Sequence, residues 1–85
     1  MAGWWMPIGQ LRIMRCMERG ETLKRLKSGS YRLEQSGEMV TASAKALVRK
    51  NYLCDGVWTP DGIEMEMTAT GRNELRYNIG VHKDV

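Results

Sequence analysis

The chain has 85 residues, enough for one domain over 1–85, and its 42% hydrophobic and 27% charged residues make a globular rather than a disordered composition. The net charge of +3 is unevenly placed, with ten Lys/Arg against four Asp/Glu in residues 1–50 and three against six in residues 51–85, so the first part suits an anionic partner. No run of about eighteen apolar residues is present to span a membrane, and the start MAGWWMPIG has neither the basic region nor the apolar stretch of a secretory signal.

Residues 1–7 read as a loose terminus carrying the adjacent Trp4 and Trp5. Neighbouring indoles cannot easily share one core. Either one of them covers an interface, such as that of a homodimer, or both cap the open end of a small core. QLRIMRCMERG then predicts a helix, entered at Pro7 and left at Gly20. Leu11, Met14 and Met17 recur on one face with Ile13 beside them, and Arg12, Arg15 and Arg19 fall on the other. Thr22–Leu26 and Ser30–Glu34 read as two short strands of a hairpin, separated by the turn signal KSGS.

TASAKALVRKNYL follows. Thr41 is a suitable N-cap, and Val40, Ala44, Leu47 and Val48 share an inward face at 100° per residue. Ala42, Lys45, Ala46 and Arg49 share the opposite face, with Ser43 and Lys50 at its flank. Asn51 is placed to end the helix, because asparagine tolerates the left-handed conformation best after glycine. CDGVWTPDGIEMEM predicts a second hairpin with its turn at Pro60-Asp61-Gly62. Ile63, Met65 and Met67 point inward there, Glu64 and Glu66 outward, and Trp58 reads as core or hairpin packing. Thr68 caps a last short helix with Leu75 inward, and residues 79–85 read as a loose end. The expected class is α+β, in the order helix–hairpin–helix–hairpin–helix. The seven methionines suit an irregular core.

Two segments resemble winged-helix domains. KALVRKNYL is similar to the end of a recognition helix, where a leucine precedes basic residues, a glycine and the apolar pair that starts the wing; Asn51 stands at the glycine position. MTATGRNEL is similar to the segment after the wing, matched in order by Met67, Thr68, Gly71, Arg72 and Leu75. Together they cover about residues 40–76. A looser likeness over 10–76 is to small winged-helix proteins of phage and prophage genomes. The usual second helix has no counterpart, since SGSYRLEQSGEMV reads as strand and turn.

The resemblance implies a small DNA-binding protein, a transcriptional regulator that inserts residues 41–50 into the major groove. Arg49 would then contact a guanine edge, Ser43 a base or phosphate, and Lys45 and Lys50 phosphates. Arg12, Arg15 and Arg19 would assist on the backbone. The alternative is a protein-binding module of the same fold, a phage-type inhibitor or adaptor whose basic face covers an acidic partner surface. Asp55, Asp61, Glu64 and Glu66 make the second hairpin acidic, which phosphate would repel if that hairpin faced DNA.

No enzyme is expected. His82 is the only histidine, and Cys16 and Cys54 stand alone without paired zinc spacing or a disulfide framework, which implies no metal or cofactor and a reducing, cytoplasmic setting. Glu64 and Glu66 have no acid–base partner in the pattern. SGS and QSG lack the lysine and helix start of a phosphate loop.

Overall fold

A computed structural model of the chain describes residues 6–81. Helix α1 spans Ile8–Glu18. Its first free amides, those of Gln10 and Leu11, donate to the Pro7 carbonyl at 3.0 and 2.9 Å. Leu11, Ile13 and Met14 on its inward face are wholly buried. The helix stops at a Schellman turn: Gly20, at φ +100°, donates to Met17 O and Glu21 to Cys16 O, both at 3.0 Å. The predicted loose start is corrected at its end. Met6 is only 2% exposed and belongs to the core, while Trp4 and Trp5 lie outside the described residues.

Strands β1 (Leu23–Leu26) and β2 (Tyr31–Leu33) form the predicted hairpin, one residue shorter at most ends. The chain then folds back, so that Met39 bridges to Arg32 and Val40 donates to Tyr31 O at 2.9 Å. No helix intervenes between β2 and helix α2, which spans Thr41–Arg49.

The start of α2 differs from the expectation. Val40 is the N-cap, without a side-chain cap, and Thr41 is already helical. The Thr41 hydroxyl instead accepts the Tyr31 amide at 3.1 Å, tying the helix to β2. The end of α2 is as predicted. Asn51 sits at φ 65° and donates to Val48 O at 2.9 Å, while Tyr52 donates to Leu47 O at 3.0 Å. This is a second Schellman turn, with asparagine in the left-handed position. Asn51→Gly should therefore leave the urea midpoint unchanged or raise it, whereas Asn51→Val should cost about 1–2 kcal/mol.

Strands β3 (Leu53–Thr59) and β4 (Gly62–Met67) form the second hairpin, with a bulge at Gly56. The four strands are antiparallel in the order β2-β1-β4-β3. Leu23, Leu33, Tyr31, Ile63 and Met65 of the sheet join Leu11, Met14, Ala44, Leu47 and Leu75 of the helices in one core. Lys24, Arg32 and Glu64 stand in register on the other face of the sheet. Trp58 lies outside the core at 74% exposure, on the edge strand β3 near the hairpin tip.

Helix α3 spans Ala69–Val81. Thr68 caps it as predicted: its Oγ1 accepts the Gly71 amide at 2.9 Å and donates to Asn51 O at 2.7 Å. One threonine thus holds the end of α2 to the start of α3. Gly71 brings α3 hard against the turn after α2, where a Cβ would lie 2.3 Å from Tyr52 O and 3.1 Å from the Met14 methyl. The helix runs through residues 79–81, where the sequence predicted a loose tail; residues 82–85, with His82, lie outside the described ones. Among the described residues, no helix is long and apolar enough to cross a membrane.

Candidate nucleic-acid interface

The outward face of α2 follows from its inward one. Ala44 and Leu47 are buried and Val40 and Val48 pack partly on the core, so Ala42, Lys45 and Arg49 face solvent. Their i, i+3, i+7 spacing puts them in one stripe along the helix. Among the described residues, no ion pair reaches Lys45 or Arg49. The stripe is narrow where Ala42 stands and cationic over its last two turns.

The other sequence-predicted contacts are placed differently. Lys50 donates to Gln10 Oε1 at 2.9 Å, which commits its ammonium to the junction between α1 and α2. Ser43 faces α1 as well, since a Cβ on Gly9 would lie 3.2 Å from its Oγ. Arg12 makes a two-pronged ion pair with Glu38, one prong at 3.1 Å, in the loop before α2. Arg15 reaches Glu18 at 4.0 Å and is half-buried. Arg19 is exposed and its guanidinium lies 3.5 Å from the Cys16 sulfur. Of the seven residues, Lys45 and Arg49 are the pair the fold presents together on one open stripe.

The acidic hairpin is largely answered from within. Asp55 pairs with Arg25 at 3.2 Å and Asp61 with Lys24 at 3.0 Å. Lys24 also reaches Glu34 at 3.4 Å, and Glu34 pairs with Arg32 at 2.7 Å. Strand β1 lies between β2 and β4, so its two cations meet acids from both hairpins. Sequence reading missed this, because the pairings join residues 30 and 37 positions apart. Of these ion pairs, Arg25–Asp55 is exposed and adds little to stability, while the pair of the buried Lys24 with Asp61 is part-buried. Their consequence here is electrostatic: two of the four hairpin acids no longer oppose a phosphate backbone as free charges.

The ion pairs depress three carboxyls below their ordinary range. Glu34 is lowered chiefly by its hydrogen bond from Arg32, Glu38 by that from Arg12, and Asp61 by that from Lys24. A carboxyl depressed in the folded state adds stability above its unfolded value and loses it as pH falls through its folded value. The Tm should therefore hold from pH 7 to about 5 and fall below about pH 4, and Lys24→Met should make that fall shallower by releasing Asp61 and Glu34. A pH series of thermal melts checks both.

Two further groups are structural in placement. Burial and Glu21 push the Cys16 thiol up, which keeps it protonated and unreactive. Burial, then the Glu74 carboxylate, pushes the Tyr52 phenol up beside α3. Among the described residues, no group of three or more His, Cys, Asp or Glu side chains could hold a metal ion.

No protein-family model, no curated protein and no solved structure matches the chain.

Proposed function

We propose that the domain binds double-stranded DNA through α2, as a variant winged-helix protein in which β2 and its following turn replace the usual second helix. The observation that carries this reading is the open stripe of Ala42, Lys45 and Arg49, cationic and without an internal partner among the described residues. The hairpin β3–β4 after it serves as the wing, its Asp55 and Asp61 neutralised by Arg25 and Lys24. Arg49 reads a base edge, with guanine the natural bidentate partner, and Lys45 holds a phosphate. Such binding would suit a transcriptional regulator. Competition between duplexes of different sequence tests the division of labour. Arg49→Ala should flatten the preference among duplexes, and Lys45→Ala should weaken all of them alike. Equal loss from both on every duplex would remove base reading from Arg49.

One observation favours a second reading, a protein-binding module whose basic face covers an acidic partner. Trp58 and Val57 are 74% and 55% exposed on the second hairpin. A solvent-facing tryptophan is a frequent anchor of protein interfaces. Absence of DNA binding at low salt would favour this reading.

A further inference from the structure

A groove of about 480 Å³ runs along the flank of β4, between the end of α1 and α3. Its origin lies in the sheet register. Pairing of β1 with β4 stops at Lys24↔Glu64, so Met65–Met67 pair with β3 alone and leave the other flank open. Met17, Met65, Met67 and Leu75 line it, Met65 and Leu75 buried and Met17 and Met67 half-buried. Methionine is unbranched and polarizable, and a lining of this kind adapts to apolar side chains of varied shape. Around it stand Glu18, Glu21, Glu64 and Glu66, against Arg72 and Arg76 on α3. Glu18 is paired with Arg15 at 4.0 Å, which leaves three carboxylates against the two guanidiniums. Among the described residues, Glu64 and Glu66 take part in no ion pair, in contrast to Asp55 and Asp61 of the same hairpin.

We propose that this groove docks a cationic amphipathic segment of a partner protein, with an apolar side chain on the methionines and flanking Lys or Arg on Glu64 and Glu66. The charge sign is opposite to that of the α2 stripe. One domain would then hold an anionic ligand on α2 and a basic partner segment on β4. This docking does not rest on the DNA-binding reading, because it uses none of the residues of α2.

The test is an NMR titration of the full chain, with methyl-labelled methionines, by a synthetic Leu/Lys amphipathic peptide and by its Leu/Glu counterpart. The Leu/Lys peptide should saturably shift the Met17 and Met67 methyls, and the Leu/Glu peptide should not. Glu64→Gln with Glu66→Gln should weaken the binding about tenfold, as expected for loss of two charged rim contacts. Thermal melts of that double variant establish that it is folded. Lys45→Ala with Arg49→Ala should bind the peptide as the parent does, which separates this site from α2. No saturable shift, equal binding of both peptides, or an affinity unchanged by the double glutamine substitution would overturn the proposal.

Discussion

Gly71→Ala should lower the Tm by about 5–15 °C, even though glycine to alanine within a helix ordinarily stabilises. The ordinary gain is about 0.5–1 kcal/mol. Here the new Cβ would lie 2.3 Å from Tyr52 O and 3.0 Å from the Tyr52 carbonyl carbon. Both are backbone atoms, fixed by the Schellman turn at Asn51 and by Thr68, whose amide donates to Tyr52 O at 3.0 Å. Neither side can yield without α3 moving off the core. Overpacking of this kind costs about 1–3 kcal/mol, and for a domain of this size each kcal/mol is worth about 4–8 °C. Asn73→Ala, two residues on and exposed, is the control and should leave the Tm unchanged or raise it. An unchanged or higher Tm for Gly71→Ala would mean that α3 does not press on that turn.

The second large effect falls on ligand affinity. Lys45→Ala combined with Arg49→Ala should weaken duplex DNA binding by roughly 10–100-fold at low salt and reduce the salt dependence by about one charge, that of the phosphate contact of Lys45. Both side chains are exposed and outside every ion pair among the described residues, so stability should stay within about 0.5 kcal/mol. The contrast with Lys50 is informative. Its ammonium is held by Gln10 at 2.9 Å, so Lys50→Ala should affect the α1–α2 junction more than the ligand. Measuring anisotropy of a labelled duplex alongside thermal melts separates the two effects.

The parts of the fold governed by local chemistry were legible in the residues. Asn51 ends α2 because few side chains tolerate φ 65°, and Thr68 caps α3 because its hydroxyl can reach the Gly71 amide. The alternation of Ile63, Met65 and Met67 with Glu64 and Glu66 states which face of β4 is buried. Thr41 shows the limit of local reasoning. It has the chemistry of an N-cap, but the Tyr31 amide, ten residues away, takes its hydroxyl.

The candidate site was legible only in part, for the same reason. Lys45 and Arg49 follow from helical periodicity alone. Ser43 and Lys50 sit on the flank of that face, and their fate is decided by α1, which periodicity within α2 does not locate. The arginines at 12, 15 and 19 look like one stripe in sequence, yet Glu38 from a distant loop claims Arg12. The acidity of the second hairpin also misleads when counted by residue, because Lys24 and Arg25 reach it across the sheet. Trp58 carries no local signal of exposure. It stands on the edge strand β3, and strand order is not readable from the local sequence.

Binding of the unmodified protein to a mixed-sequence DNA duplex, followed by anisotropy between about 50 and 200 mM salt, tests the central claim most directly. The α2 stripe predicts measurable affinity at the lower salt, with log K falling linearly in log salt at a slope of about −1 or steeper. Absence of binding at the lower salt, or binding indifferent to salt, would contradict it.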